Sequence, residues 1–151
     1  MKKPAKKASN TGKRRPTQAD YEALSQFRYL IRCFLEFSQN AARASGLTPR
    51  HHQALLAIRG YPGGKSATIG DLAERLRIRH HTAVELVDRL SEAGLVERVI
   101  DPNDQRRVLL GLTDLATRHL AHLSTAHLDE LSRIEPLLKQ VLSRRSRKRT
   151  D

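Results

Sequence analysis

A chain of 151 residues suits one compact domain with an ordinary core and leaves no room for a second full one. Its formal charge of +12 points to a polyanionic partner, but the charge is not spread evenly. Residues 1–16 hold seven Lys or Arg and no acid, and residues 144–151 hold five against one, which leaves the chain between them close to neutral. The basic opening MKKPAKKASNTGKRRP has no apolar run behind it, so it is not a secretory signal. Nowhere do about 18 apolar residues run together as a membrane span requires. The single cysteine, Cys33, excludes an internal disulfide and fits a reducing compartment, so a cytoplasmic protein without membrane attachment is expected.

In chain order, Leu24, Phe27, Ile31, Phe34, Leu35, Ser38 and Ala42 recur at spacings of three and four, the mark of one face of a long helix over 20–44. Gly46 stands just past its end, where a left-handed cap is cheap. A second helix starts at GLTPRHHQALLAIRG, with Thr48 as N-cap, Pro49 at the first helical position and Ala54, Leu55 and Ile58 as its buried stripe. A short third helix follows Thr68, whose spacing to Asp71 is that of a capping box. After the turn RIRH, the segment HTAVELVDRLSEAG places Ala83, Leu86, Val87 and Leu90 on one face and His81, Thr82, Glu85 and Arg89 on the other, with Gly94 as the stop. Two short helices joined by a tight turn, the second polar on one side, form a helix-turn-helix pattern.

LVERVI and RVLLGLT then read as strands, with DPNDQ between them as turn chemistry. A β-hairpin directly after a helix-turn-helix is a wing. Its arginines, Arg106 and Arg107, suit a wing reaching the minor groove beside a helix in the major groove, with Asp104 placed to hold the Arg106 guanidinium. Beyond Thr113, a candidate N-cap, Ala116, Leu120, Leu123, His127, Leu131, Ile134, Leu138 and Val141 continue a helical stripe. Pro136, with Ser132 and Glu135 as a fresh capping box, predicts two consecutive helices here. That stripe exceeds what the small helix-turn-helix core can bury. The terminal helices are therefore expected to pack together and against a second copy, giving a homodimer that reads a pseudo-palindrome in double-stranded DNA.

The expected fold is mainly α with a small β element (α+β), a winged helix-turn-helix between N- and C-terminal helices that form a dimerisation region. The organisation is a disordered basic tail over 1–19, a body over 20–143 and a basic tail over 144–151. Within the body, 20–47 and 113–143 are the dimerisation helices and 48–112 the winged helix-turn-helix.

The stretches GLTPRHHQALLAI and IGDLAERLRIRHHTAVELVDRLSEAGLVERVIDPNDQRRVLLGLT, with the flanking helices, resemble the MarR family of bacterial winged-helix regulators over about Tyr21 to Val141. The resemblance implies a triangular homodimer with intertwined terminal helices, most often a repressor released by a small molecule or an oxidant. It places Thr82 near the start of the recognition helix, facing DNA with His80, His81 and Glu85, and matches Arg106 to the wing arginine and Asp104 to its acidic partner. The chain departs from the family at Arg77, where Gly is frequent, and at Arg79, where Ser or Thr often caps the recognition helix. The expected DNA-facing set is Thr68, Arg77, Arg79, His80, His81, Thr82, Glu85, Arg89, Asp104, Arg106 and Arg107.

Other features suggest rivals. GGKS at 63–66 is not a phosphate loop, because Arg59 stands where its first glycine is needed. His119 and His122 share a helix face without Cys or acidic ligands, so no metal site is expected, and His127 on the apolar stripe reads as a core histidine. Cys33 is a candidate redox thiol, though it lies nearer the second helix than the cysteine of the family's oxidant-sensing branch. Tyr29, Arg32, Phe37 and His52 are candidate effector contacts; with Tyr21, Phe27 and Phe34, the aromatics of the first helix equally suit a dimer core. No cofactor and no enzymatic residue set appears. Non-specific DNA coating through the tails and winged body, or a redox- or metal-responsive regulator, is the alternative to this reading.

Overall fold

The computed structural model describes residues 15–146, so the two basic tails fall largely outside the described residues. The chain forms α1 (Gln18–Ala44), α2 (Pro49–Arg59), a single 3-10 turn (Pro62–Gly64), α3 (Ile69–Leu76), α4 (His80–Glu92), β1 (Val96–Asp101), β2 (Asp104–Leu112) and α5 (Asp114–Ser146). It is a mainly helical winged helix-turn-helix with a two-stranded antiparallel sheet.

Capping chemistry sets most boundaries. Thr17 and Asp20 close a capping box that starts α1 two residues before the apolar periodicity does. Thr48 accepts from the His51 amide with Pro49 at the first helical position, and Thr68 with Asp71 caps α3. Three helices stop in the same way. Past α1, α3 and α4 an amide turns back onto the carbonyl five residues earlier, in the last turn of the helix: Leu47 to Ala42, Ile78 to Ala73, and Leu95 to Leu90, each at 2.9–3.0 Å. The residue between has positive φ, and it is Gly46 in the first case, Gly94 in the third, and Arg77 in the second.

The core is built from Leu47, Leu55, Ile58, Leu72, Leu86, Val87, Leu90, Leu95, Val96 and Leu110, closed on one side by Ala116, Leu120 and Leu123 of α5. Thr113 ties the last element on: its hydroxyl donates to the Gly94 carbonyl at 2.7 Å and caps the Ala116 amide. The segment before α3 also joins the wing, the Leu110 amide donating to the Ala67 carbonyl at 2.8 Å.

One expectation is corrected. Pro136 does not divide the C-terminal segment; α5 continues through it as one helix of 33 residues. The Ser132 hydroxyl donates to the Leu128 carbonyl instead of capping, and Glu135 pairs with Lys139, so the expected box never forms. The missing proline N–H orphans only the Ser132 carbonyl, which lies on the exposed side where water can reach it. Ile134 and Val141, both buried, hold the helix on either side of the proline.

Candidate nucleic-acid interface

The sequence of α4 divides it into two faces. Ala83, Leu86, Val87 and Leu90 are buried, and Val87 and Leu90 are wholly so. His81, Glu85 and Arg89, spaced four apart, stand exposed on the other side with the half-exposed Thr82 beside them. The core therefore fixes the helix while leaving a polar ridge that makes few demands on its own fold. Arg79 occupies the N-cap position with no side-chain cap, so amides of the first turn of α4 are left for solvent or a ligand, and His80 opens the helix beside them, exposed. Arg89 has no ion pair among the described residues; it lies near His51 of α2, whose pKa is pushed down by burial and by that guanidinium.

Arg77 takes φ +55° at the turn between α3 and α4, the only non-glycine positive φ among the described residues. A side chain there costs about 1 kcal/mol relative to glycine. It leaves an exposed guanidinium at the corner of the helix-turn-helix.

The wing places its arginines by a break in register. Pairing runs from Val96↔Leu112 to Ile100↔Val108, then jumps to Asp101↔Asp104, so Gln105, Arg106 and Arg107 bulge from β2. The turn is thus tighter than the five-residue DPNDQ of the sequence reading: Pro102 and Asn103 alone form the tip, with the Asn103 amide on the Asp101 carboxylate at 2.9 Å. Asp104 holds Arg106 as expected, its carboxylate accepting from Nε at 3.1 Å and Nη2 at 3.4 Å. The Arg106 bonds keep the Asp104 carboxyl below the usual carboxylate range, while the Arg106 side chain remains 89% exposed. Arg107 points differently. It faces the buried Asp101 at 3.7 Å and contributes to the field at Asp71, which makes it a strut between wing and α3 more than a free contact.

Thr68 is engaged in its capping box, its hydroxyl donating to Asp71 at 2.9 Å. Burial pushes the Asp71 carboxyl up, but bonds from the Thr68 amide and hydroxyl and from Tyr61 outweigh it and hold the pKa low. Sequence reading missed two supports. Arg98 of β1 pairs with Asp88 and reaches Ser91 of α4 at 3.4 Å, locking the wing to the helix. Arg75 lies over the Tyr61 ring at 5.6 Å. The seven-residue spacing of Ser91 and Arg98 signals nothing until the hairpin folds back.

The candidate effector residues separate. Phe37 and His52 meet through His127, whose ring centroid lies 5.5 Å and 4.7 Å from theirs, whereas Tyr29 and Arg32 stay exposed on α1 outside that cluster. His127 is the satisfied core histidine its position suggested, bonded to the Leu123 carbonyl at 2.6 Å and Ser38 Oγ at 2.8 Å. Cys33 is half-buried and free; its hydrogen bond with Tyr29 raises the phenol pKa. No group of three metal-ligating side chains occurs among the described residues, and no described helix is long and apolar enough to cross a membrane.

A pattern described as MarR family matches residues 45–107, which span α2 through the wing arginines. An uncharacterized HTH-type transcriptional regulator of Bacillus subtilis (strain 168), YcgE, is 31% identical over 107 residues, covering 71% of this chain and 68% of that protein. Among solved structures, a MarR family protein from Bacillus stearothermophilus superposes with TM-score 0.72 at 18% identity, over 91% of this chain and all of that one. A S. aureus MepR mutant bound to an oligodeoxyribonucleotide superposes with TM-score 0.60 at 19% identity, over 82% and 96% of the two chains. At such identities the structural likeness speaks for the fold.

Proposed function

Because this chain belongs to the MarR family of transcriptional regulators, a DNA-binding class, we propose that it is a sequence-specific homodimeric repressor, released from a pseudo-palindromic operator by a small-molecule effector. The observation that carries the reading is the pairing of two exposed features on a rigid body. The ridge His81, Thr82, Glu85 and Arg89 lies on α4, and Arg106, which the β2 bulge projects and Asp104 orients, lies on the hairpin that Arg98 of β1 ties to α4. A helix ridge of that kind suits base edges in the major groove, and a projected arginine suits the narrow minor groove next to it. His80, Arg77 and Arg79, at the exposed corner of the helix-turn-helix, supply phosphate contacts that set register.

The second copy is proposed from the apolar side chains that one chain leaves in water. On α1 these include Tyr21, Leu24 and Leu35; on α5 they include Leu128, Leu137 and Leu142. A two-fold pairing through these faces would cover them and set two copies of α4 about one DNA turn apart. Residues 20–47 and 113–143 would then act as the dimerisation region, in a cytoplasmic protein.

Fluorescence anisotropy on the upstream intergenic duplex and on a scrambled duplex, titrated from low to physiological salt, tests this. A preference of about 10³ or more that survives rising salt supports specific regulation. Equal binding that disappears together would assign the affinity to the basic tails and favour DNA coating.

A further inference from the structure

Three helices meet at one pair of rings. His52 of α2 is 3% exposed and His127 of α5 is 9% exposed, and their rings lie 4.7 Å apart at 37°. Phe34 and Phe37 of α1 close the other side edge-on, at 5.9 Å and 5.5 Å from His127. A carbonyl can only accept, so the bond to Leu123 puts the His127 proton on Nδ1; Nε2 then receives the Ser38 hydroxyl. His52 is different. Its Nδ1 is buried with no hydrogen-bond partner among the described residues.

An unbonded buried nitrogen is a cost that leucine or phenylalanine would avoid while filling the same space. What an imidazole adds is a second protonation state. A proton arriving at His52 Nδ1 creates an N–H with no acceptor and a charge stacked on another ring that also takes protons. Neither change suits the packing. The location gives it reach, because α2 carries Ala54, Leu55 and Ile58 into the winged core, while Ser38 and His127 belong to the terminal helices. The stack is a seam between the lobe that holds the DNA-facing ridge and the helices that carry the proposed dimer contact.

We propose that the His52–His127 stack is a proton-released clasp, closed when both rings are neutral and loosened by mild acid, so that DNA binding weakens as protons enter. The proposal rests on the DNA-binding reading above. The groups that face the stack agree with it. Among the described residues α5 contributes His127 and α1 contributes Phe34, Phe37 and Ser38, while on α2 the neighbouring His51 feels the charge of Arg89 of α4. No carboxylate is paired with either ring among the described residues. Burial, then His127, lowers the His52 pKa from its ordinary 6.5. The unfolded chain therefore binds a proton that the closed clasp refuses; its stability is complete above that value and is lost as pH falls below it.

Because the DNA-facing side also carries the exposed His80 and His81, a variant comparison at His52 is needed. Full-length wild type and His52→Phe are compared at pH 7.5 and 5.5 at constant ionic strength, by anisotropy on the upstream duplex and by thermal unfolding. Each protein's pH 7.5 value serves as its own reference. The Kd of wild type is expected to rise at least about fivefold more than that of His52→Phe, and its Tm to fall further. Equal pH responses of Kd and Tm in the two proteins overturn the clasp. A Tm difference in a protein that binds no duplex even at pH 7.5 supports the clasp and removes the DNA-binding reading instead. Should His52→Phe not fold, imidazole NMR titration of wild type decides. His52 titrating below its ordinary 6.5, with α5 amides shifting as it does, supports the clasp; titration at 6.5 or above with α5 unmoved overturns it.

Discussion

Leu90 of α4 and Leu128 of α5 both lie on amphipathic helices, yet the first is wholly buried and the second is 63% exposed. The difference runs through the whole molecule. The winged body buries Leu55, Leu72, Val87 and Leu90 among its own helices and against Ala116, Leu120 and Leu123 of α5, and ends its helices in bonded turns, though Val99 and Ile100 of the wing stay in water. The terminal helices meet each other through Leu30, Ala42, Ile134 and Val141 but leave Leu24, Leu35, Leu128 and Leu142 in water. An open groove of about 600 Å³ lies between their ends, lined by Tyr21, Gln26, Leu137 and Val141. The winged core is the more finished part of one chain and the terminal helices the less finished, the arrangement a two-fold DNA reader would need.

Breaking the finished half has the largest effect. Leu90→Ala is expected to destabilise the fold by about 2–5 kcal/mol, whereas Leu128→Ala leaves the fold of the winged body intact; urea unfolding followed by circular dichroism compares them, and equal losses would erase the contrast. The double variant Leu24→Lys/Leu142→Lys attacks the unfinished half. Each leucine is worth about 1.5–3 kcal/mol when buried, so sedimentation velocity should show single chains that retain their helical signal. Unaltered association would show that other side chains carry the contact.

At the DNA, Arg106→Ala is expected to weaken operator binding by about 1–3 kcal/mol with Tm unchanged, because the side chain is almost wholly in solvent. Arg107→Ala sharpens that result. Its strut to Asp101 predicts a loss of wing order, seen as faster amide exchange in β1 and β2, in addition to any loss of affinity. The smallest change is Arg77→Gly. Glycine already fills the two sister turns at Gly46 and Gly94, so this variant should gain about 1 kcal/mol of stability while losing a phosphate contact; a lower Tm would contradict the strain at +55°.

Local chemistry in the sequence was a good guide wherever a residue acts on its near neighbours. Thr48, Thr68 with Asp71, Gly94 and Thr113 mark helix ends through caps or turns close in sequence, and the structure uses all of them. The same reasoning failed at Pro136, where the burial of Ile134 and Val141 in a helix that packs against the distant α1 outweighs a local breaker. It also missed the β2 bulge, which depends on cross-strand register, and the meeting of His52 with His127, which depends on three helices converging. Tyr29 and Arg32 seemed to belong with Phe37 because all lie on one helix, but helix phase sends them to different surroundings.

The proposed second copy links the exposed apolar faces to the DNA-facing ridge, so it is the point to test most directly. Sedimentation equilibrium of the full chain at low micromolar concentration, without DNA, gives the answer. A two-fold reader predicts a mass twice the 17.1 kDa of one chain, persisting on dilution toward nanomolar. A single-chain mass throughout that range would leave those leucines in water and contradict the two-fold reading of DNA.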